Sequence, residues 1–591
     1  MTKTVIKNKV IILPEELTNK IAAGEVVDRP ASIVKELVEN SIDAGSDEIT
    51  ILLKNGGKSL IQVVDNGTGM SREDAILAIQ RHTTSKISTY DDLHNIKTLG
   101  FRGEALASIA SVSQMDLKTV LHEERTGTLI KIEGGTIEDV IDVGGARGTS
   151  VSIKNLFYNT PARKKFLKSD ETEYRHILSF IQRFTLAYFE TSFIVYHNDQ
   201  KIFELKPSQP ELRLIDVLGS RYKDSLIKIE DKGAVLQIWG FVGKQDTAKK
   251  SRGDQFLFLN GRYIVNRALN HAIISSYGAI IPRGEFPLYV LFLEIDPRRI
   301  DVNVHPSKLE VKFADEQLIY SLLRAAIKKG LSSEQVIPSF QPHASIESKT
   351  IPKAKETFLA QQTAIPLFET ARRTHKLPGI DLPQPMPRPA KPAVKVSPAK
   401  EKFERSNVWQ IHNQYILSEI KSGLVIIDQH VAHERILYER ALRDFERSNP
   451  ASQQLLFPHV VELTPEEYSY LREILPFLEK IGFVIKGFGG NTVVIEGLPS
   501  GMKIANADKI LNEIIDEFQA NRSTSLDIRD NVAKSYSCKM AIKKGEPLSL
   551  EEMNNLIDQL FATQSPYFCP HGRPIVINLS IEELNKRFGR A

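Results

Sequence analysis

The sequence predicts a multidomain protein of the mixed α/β and α+β classes. The chain has 591 residues, which is about four domains at roughly 150 residues each. Helical and strand-like patterns are mixed on both sides of a proline-rich segment. Apolar residues make up 41% and charged residues 25%, so several cores can form and a globally disordered chain is excluded. With cysteine only at Cys538 and Cys569, a disulfide scaffold is also excluded.

A proline-rich and basic segment divides the chain. Between Leu377 and Lys400 there are seven prolines in 24 residues, and residues 341–402 carry 11 Lys or Arg against 5 Asp or Glu. Because proline at this density blocks both helices and ladders, a disordered linker is predicted. It is a solvated tether or a basic arm that slides on phosphates, and the two interpretations are compatible. The predicted domains are 1–215, 216–335, the linker 336–404, and 405–591.

An amphipathic helix is predicted over Ser32–Ala44, directly after Pro30. At about 100° per residue, Glu36, Asn40 and Asp43 fall within about 60° of one another. Such a polar stripe is often only the solvent face of a helix. The glycine-rich turns that follow it favour a site instead.

Three glycine-rich turns follow this helix. The strand-like run 60–64 ends in DNGTGM at 65–70, GFRGEAL spans 100–106, and Gly148-Thr149 opens another strand. Glycine lets the backbone approach a flat ligand, and glycine-rich backbone before a helix favours anions. There is no G-x-x-x-x-G-K-[ST], so this is not a P-loop. Each turn alone is common, but their order predicts a nucleotide site.

These strings resemble the MutL family of DNA mismatch repair proteins, within the GHKL superfamily of gyrase, heat-shock chaperone and histidine-kinase ATPases. The matching strings are IAAGEVVDRPASIVKELVENSIDAGS (21–46), DNGTGM (65–70), RHTTSK (81–86), GFRGEALASI (100–109), NTPARKKFL (159–167) and DVNVHPSK (301–308). The resemblance implies a GHKL-type α/β-sandwich ATPase domain and a second, α/β transducer domain like ribosomal protein S5 domain 2. A C-terminal α/β dimerisation and endonuclease domain would follow the linker.

The resemblance implies hydrolysis of ATP with Mg²⁺. Glu36 would be the general base, Asn40 would hold Mg²⁺, and Asp65 would read the adenine amino group. Lys308 would place a cation on the γ-phosphate; without the resemblance it is a solvated loop lysine. Residues 81–103 would form a lid. The other implied ATP-binding residues are Gly67, Gly69, Met70, Thr83, Ser85, Lys86, Gly100, Phe101, Arg102, Gly103 and Thr149.

Basic residues predict contacts with double-stranded DNA. Arg163, Lys164 and Lys165 form one cluster, and Arg262 and Arg267 flank another surface-like stretch. Clusters of this kind are often solvated faces. The resemblance assigns a phosphate contact to Arg267, so binding should be salt-sensitive and largely independent of sequence. Mismatch recognition itself would belong to MutS.

The C-terminal region carries a predicted metal site. The apolar strand 423–427 runs into DQHVAHE, and the string CPHGRP follows at 569–574. Carboxylate, imidazole and thiolate suit Zn²⁺ or a similar metal, whereas two buried hydrophobes or a redox pair are the alternatives. The strings resemble the endonuclease-type members of the family. That implies a catalytic Asp428, metal ligands Asp428, His430, Glu434, Cys538, Cys569 and His571, and further matches at Glu439, Arg573 and Phe588-Gly589-Arg590.

The endonuclease pattern is matched with two departures. Val431 replaces the usual alanine, and Lys539 replaces an arginine that would fork onto its partner. These departures bear on the number of metals and the turnover. Mn²⁺ is the activating ion that the resemblance implies, with Zn²⁺ structural or regulatory.

Partners are also implied. The string QQLLFP at 453–458 resembles the peptide that docks into the replicative sliding clamp, through Gln453, Leu456 and Pro458, and an edge strand is the alternative. The resemblance further implies a homodimer through the C-terminal domain and ATP-dependent contact of the N-terminal domains. No membrane partner is expected, because the early apolar run 10–13 is too short for a signal or a span. A cytoplasmic protein, associated with the nucleoid during repair, is therefore expected.

Two functions compete at this point. The first is an ATP-gated dimeric clamp on DNA that couples mismatch recognition by MutS to repair and nicks the strand. The second is a non-nucleolytic, ATP-dependent matchmaker with a structural metal site. A chaperone or topoisomerase subunit is disfavoured, because GFRGEAL and DVNVHPSK match the MutL family. A histidine kinase is disfavoured, because the predicted ATPase module opens the sequence without a sensor or phosphoacceptor pattern before it.

Overall fold

The structure is a computed structural model, and it describes most of the chain outside the proline-rich segment. The described residues are 24, 27–87, 89, 98–100, 103–278, 280–282, 284–301, 311–334, 408–446, 450–500, 502, 507–521 and 527–590. The predictions for Phe101, Arg102, Lys308 and the linker 336–404 lie outside these residues. Within them, the mixed α/β class that the sequence predicts is confirmed.

An eight-stranded sheet organises the N-terminal region. Its order is β5-β4-β3-β6-β2-β1-β7-β8, and β1 pairs in parallel with β7 while the other pairs are antiparallel. The strands are β1 (Glu48–Lys54), β2 (Leu60–Asp65), β3 (Gln114–Val120), β4 (Thr126–Glu133), β5 (Thr136–Gly144), β6 (Gly148–Lys154), β7 (Ser192–His197) and β8 (Gln200–Leu205).

Six helices of the described residues accompany this sheet: α1 (Pro30–Asp43), α2 (Arg72–Leu77), α3 (Ala105–Ser111), α4 (Pro161–Phe166), α5 (Asp170–Ala187) and α6 (Pro210–Leu218). Helix α1 begins with Pro30 in its first turn, where the missing N–H has no intrahelical partner to lose. Its apolar side, with Val34, Leu37 and Val38, is buried in the core that it shares with α5 and the sheet. The opposite, polar side of α1, which carries the predicted ATP-site residues Glu36 and Asn40, is therefore not used in this packing.

A five-stranded sheet follows in the order β12-β11-β13-β10-β9. Along β11, Phe256 and Phe258 join the first core, whereas Leu257 and Leu259 join a second core, because strand side chains alternate between faces. The second domain is therefore joined to the first by apolar packing. Its elements are β9 (Leu226–Lys232), β10 (Leu236–Gly243), β11 (Gln255–Leu259), β12 (Arg262–Tyr263), α7 (Arg267–Tyr277), β13 (Tyr289–Ile295), β14 (Ile300–Asp301), β15 (Lys312–Phe313) and α8 (Glu316–Glu334).

The C-terminal region contains two antiparallel sheets, with orders β16-β17-β18-β22 and β19-β21-β20. Strand β22, near the end of the chain, completes the first sheet beside β18. The elements are β16 (Val408–Ile411), β17 (Tyr415–Ile420), β18 (Gly423–Asp428), α9 (Gln429–Asp444), β19 (Ser452–Glu462), α10 (Pro465–Ile481), β20 (Val484–Gly489), β21 (Thr492–Pro499), α11 (Ala507–Asn521), α12 (Ile528–Met540), α13 (Leu550–Phe561), β22 (Val576–Ser580) and α14 (Ile581–Arg587). None of the helices described in the structure is long and apolar enough to cross a membrane.

Charged side chains join helices α10 and α11 to the N-terminal region. Arg175 Nη1 lies 2.8 Å from Glu473 Oε2, and Lys250 Nζ lies 2.7 Å from Glu517 Oε2. Lys249 Nζ lies 3.6 Å from Glu467 Oε1. Burying charges carries a desolvation penalty that pairing only offsets, so loss of one partner of the largely buried Arg175–Glu473 pair would leave an uncompensated charge in the contact.

Candidate ATP site and metal centre

The polar side of α1 carries the predicted base and metal ligand. Glu36 is partly exposed, and its Oε1 lies 2.8 Å from Lys35 Nζ. Burial alone would lower the pKa of Lys35, but the carboxylates of Glu36 and Glu39 raise it on balance. Lys35 is therefore a charged partner that restrains one oxygen of Glu36.

Asp65 ends β2 with both carboxylate oxygens engaged. Oδ1 accepts hydrogen bonds from the N–H of Gly67 at 3.0 Å and of Thr149 at 3.2 Å, and Oδ2 accepts from Ser41 Oγ at 2.9 Å. Asp65 and Thr149 meet because β2 pairs with β6 in that register. Two predicted ATP-binding residues, far apart in sequence, are thus adjacent.

The glycines after β2 are required by close packing. At Gly69 φ is +70°, and a Cβ there would lie 2.1 Å from the carbonyl oxygen of Val120. A Cβ at Gly67 would lie 2.7 Å from Ser46 Oγ. The N–H of the next residue, Met70, donates to Thr119 Oγ1 at 2.9 Å. Strand β3 therefore fixes the turn that faces Asp65.

The described parts of the predicted lid return to α1. Lys86 Nζ lies 3.0 Å from Asn40 Oδ1 and 2.5 Å from Asp43 Oδ2. At Gly103 φ is +62°, and a Cβ would lie 2.2 Å from the carbonyl oxygen of Thr83. Ser85 is exposed. The structure thus brings Lys86 to the predicted metal ligand.

Three residues without a predicted role belong to this site. Ser41 and Thr119 hold Asp65 and the turn after it, and Asp43 contacts Lys86. The signal for Asp43 was present, since it is the third member of the polar stripe. Nothing local marks Thr119, whose contact depends on how β3 packs beside the turn.

In the C-terminal region, three predicted metal ligands converge. One ligand atom each from Glu434, Cys569 and His571 lies within 4.8 Å of the other two. Glu434 is 1% exposed, and its Oε1 lies 2.5 Å from His571 Nδ1. Glu434 comes from α9, whereas Cys569 and His571 come from the tight loop before β22.

The electrostatics of this cluster suit a thiolate ligand. Burial alone would raise the pKa of Cys569, but hydrogen bonds from His571 and from the backbone N–H of Arg573 lower it on balance. Hydrogen bonds with Cys569 and Glu434 raise the pKa of His571 to about 9. Oxygen, sulfur and nitrogen donors at this spacing fit Zn²⁺ or a similar transition metal.

The remaining predicted ligands stand apart from this cluster. Asp428 caps α9, and its Oδ1 accepts from the N–H of His430 at 3.0 Å. His430 Nδ1 lies 2.8 Å from the carbonyl oxygen of Ile542. Burial raises the pKa of Cys538. Glu439 pairs with Arg435 and accepts from the N–H of Gln564 at 2.8 Å, so it anchors α9 to the loop after α13.

The predicted DNA and clamp residues are mostly on the surface. Lys164, Lys165 and Arg267 are exposed, whereas Arg163 is half-buried and its guanidinium lies over Gly24. Arg262, which was grouped with Arg267, is also half-buried. The side chains of the clamp string, Gln453, Leu456 and Pro458, are exposed on the edge strand β19.

The polar helix, the D-x-G-x-G turn and the sheet define an ATPase of the kind found in histidine kinases and gyrase. Residues 29–140 match the family described as "Histidine kinase-, DNA gyrase B-, and HSP90-like ATPase". Residues 214–332 match "DNA mismatch repair protein, C-terminal domain", and residues 408–548 match "MutL C terminal dimerisation domain".

Relatives that match nearly the whole chain belong to the same family. The chain is 43% identical to a DNA mismatch repair protein MutL of Chloroherpeton thalassium, with 98% of this chain and 99% of the relative covered. It is 42% identical to that of Chlorobium limicola, over 98% and 100%. The Aquifex aeolicus MutL ATPase domain complexed with ADP is 28% identical over 50% of this chain and 98% of its own, with a TM-score of 0.36. The chain belongs to the MutL family of DNA mismatch repair proteins, and it carries the ATPase and dimerisation domains of that family.

Proposed function

We propose that this mismatch repair ATPase is an ATP-gated homodimeric clamp on double-stranded DNA that couples mismatch recognition by MutS to repair and nicks the strand to be repaired. The convergence of Glu434, Cys569 and His571 carries the nicking part of the proposal. In the proposal the protein works in the cytoplasm, at the nucleoid during repair.

At the ATP site, Glu36 accepts the proton of the attacking water, and Lys35 keeps its carboxylate oriented. Asp65 accepts from the adenine amino group, since its geometry is fixed by Ser41, Gly67 and Thr149. Asn40 would hold Mg²⁺, which neutralises charge on the phosphates when bound. Lys308 is proposed as the γ-phosphate contact from the second domain.

At the C-terminal centre, Glu434, Cys569 and His571 would hold a divalent metal, Zn²⁺ or Mn²⁺. A metal there supplies a Lewis acid for the phosphodiester and a more acidic water. Asp428, His430 and Cys538 are proposed as neighbouring ligands. Because Asp428 also caps α9, its carboxylate is held at the N-terminal end of the helix that carries Glu434.

Homodimerisation is proposed to use the open face of the β16-β17-β18-β22 sheet. Trp409, Leu417, Ile426 and Ile577 lie side by side across its four strands. Trp409 is 50% and Ile577 is 54% exposed. A continuous apolar row on an open sheet face is what an obligate partner covers. Lys164, Lys165 and Arg267 are proposed as phosphate contacts within the resulting ring.

One observation favours the second candidate, a non-nucleolytic matchmaker. Among the described residues, only three predicted ligands lie within mutual reach, and His571 is already 2.5 Å from Glu434. Asp428 and His430, which a nicking site would need, are engaged elsewhere, as the cap of α9 and with the carbonyl oxygen of Ile542. A metal held by Glu434, Cys569, His571 and one further protein ligand would be a closed, structural site. Such a site would stabilise the domain without cleaving DNA.

Nicking of supercoiled plasmid with Mn²⁺ separates the two candidates. The parent protein should convert supercoiled to open-circular DNA, and Asp428→Asn and Glu434→Gln should each lower the rate at least about tenfold. Glu551→Gln, an exposed acid on α13, is the matched control and should nick like the parent. Intact plasmid with the parent protein would leave only the matchmaker.

A separate measurement tests the ATP site. Glu36→Gln should bind ATP and lose its hydrolysis by about a hundredfold or more, as removal of a general base does. Unchanged turnover in that variant would remove the base assignment, whatever the nicking assay shows.

A further inference from the structure

The segment Thr98–Gly100, here called the lid root, is gripped from the first domain by Asp43. Asp43 Oδ1 accepts from the N–H of Leu99 at 2.8 Å, and Oδ2 accepts from the N–H of Gly100 at 3.0 Å. The Asp43 side chain is only 6% exposed. The same Oδ2 lies 2.5 Å from Lys86 Nζ, so one carboxylate ties both described ends of the lid to α1.

The lid root is also gripped from the second domain by Arg262. Its Nη2 donates to the carbonyl oxygens of both Thr98 and Leu99, the latter at 3.1 Å. Arg262 belongs to β12, the edge strand of the second sheet, where it pairs with Leu259. The backbone of the lid root is therefore held on its N–H side by one domain and on its C=O side by the other.

The position of Asp43 argues against an incidental contact. It is the last residue of α1, where the helix dipole disfavours a negative charge. Two backbone N–H groups and an ammonium compensate that charge only because the lid root and Lys86 are in place. Leu99 adds a buried apolar anchor, so the segment is seated by packing as well.

Resting on the proposed ATPase function, the geometry points to Asp43 and Arg262 as positioning residues that couple the lid root, beside the ATP site, to the second domain. Neither needs to touch the nucleotide. Any shift of β12 relative to α1 pulls on the carbonyls of the lid root while Asp43 holds its N–H groups. Gly100 lies beside Lys86 and Asn40, because a Cβ there would be 3.1 Å from Lys86 Nζ and 3.7 Å from Asn40 Oδ1. Movement of the second domain is thus transmitted to the metal ligand.

The test replaces Arg262 in the full-length protein without DNA. Arg262→Met keeps the stem but removes the donors, so it should raise the KM for ATP and the release rate of a fluorescent ATP analogue about tenfold, with a smaller change in kcat. Arg262→Lys should restore most of both, because the bridge to two carbonyls comes from a single nitrogen that an ammonium can replace.

Arg298→Met is the matched control, because Arg298 is an exposed second-domain arginine whose ion pair within the described residues is with Asp296 in its own loop. This change should alter neither quantity. Asp43→Asn combined with Arg262→Met should cost less than the sum of the two single changes, because both act on one segment. An Arg262→Met variant like the parent, an Arg262→Lys variant as impaired as Arg262→Met, or strict additivity would each overturn the coupling. The Glu36→Gln measurement is independent of all three.

Discussion

At the scale of single residues, a comparison of two glycines with nearly the same φ distinguishes backbone strain from steric crowding. Gly69 and Gly45 have φ of +70° and +72°. A Cβ at Gly69 would lie 2.1 Å from the carbonyl oxygen of Val120, whereas a Cβ at Gly45 would meet nothing within 4 Å. Both positions therefore carry the left-handed penalty, and only Gly69 adds a collision with the backbone of its neighbour.

We expect Gly69→Ala to destabilise the N-terminal domain by about 3 kcal/mol or more, as left-handed strain and overpacking add. Gly45→Ala should cost only about 1 kcal/mol. Denaturant unfolding of both variants without nucleotide, followed by far-UV circular dichroism, measures the difference. Equal losses would mean that the turn around Gly69 yields without cost.

Residues also show where sequence alone stops. The helix at Pro30–Asp43 and its polar stripe were predictable, because the proline start and the period of the pattern are local. The contact of Arg262 with Thr98 was not, since it requires the packing of two domains across 164 residues. Arg262 looked like another surface arginine beside Arg267, and only tertiary structure distinguishes the two.

At the scale of elements, strand β19 combines an exposed edge with an interrupted ladder. Its pairing with β21 shifts register between Gln454 and His459, so the residues between them leave the ladder. Leu456 is 88% and Phe457 is 78% exposed there. The edge strand is therefore present, and its bulge presents apolar side chains that a regular edge would turn to the sheet. The clamp peptide stays a prediction, which these exposed side chains leave accessible to test.

We expect Gln453→Ala and Leu456→Ala each to weaken binding of the purified sliding clamp about tenfold, because each removes an anchor of the proposed peptide. Stimulation of nicking by the clamp should fall in parallel. Val460→Ala, also on β19 but beyond the motif, is the matched control and should bind as the parent does. Titration by surface plasmon resonance gives the affinities. Clamp binding that ignores both changes would remove this partner site.

Secondary-structure elements also explain why only part of the candidate metal centre could be predicted from the sequence. Strand β18 and the start of α9 follow from an apolar run that ends in a capping Asp428. The resemblance implies His430 as a ligand beside Glu434, and in the structure His430 Nδ1 lies against the carbonyl oxygen of Ile542. Cys569 and His571 reach Glu434 through the closure of a sheet, which no local pattern encodes.

At the scale of the whole molecule, the contact between α10 and the N-terminal region contains a carboxyl group, that of Glu466, whose pKa lies near neutral pH. Burial, and secondly the charge of Asp254, raise the pKa of Glu466 to about 7. Glu467 adds to this effect, and Lys249 and Arg175 oppose it. Burial also raises the pKa of Asp516 nearby, whereas Lys249 and Arg221 keep the pKa values of Asp254 and Glu467 low.

Because the pKa of Glu466 is higher in the contact than in water, formation of the contact favours the protonated carboxyl group of Glu466. The contribution of Glu466 to the stability of the contact should be complete below about pH 4.5. It should be lost as the pH rises to about 7, by at most about 3 kcal/mol. Small-angle scattering should give a larger radius of gyration at pH 7.5 than at pH 5.5. Glu466→Gln should remove most of the difference, and a radius that ignores pH in the parent would contradict the assignment.

Strand β22 lies near the end of the chain, so the sheet that it completes can form only late in synthesis. It closes the sheet beside β18, and the loop before it carries Cys569 and His571. While the ribosome still covers the last codons, the first two domains can fold but this sheet cannot, since its fourth strand has not emerged. A stop codon ahead of the Cys569 codon would therefore yield a chain that keeps the ATPase domain and lacks two of the three residues of the candidate metal cluster.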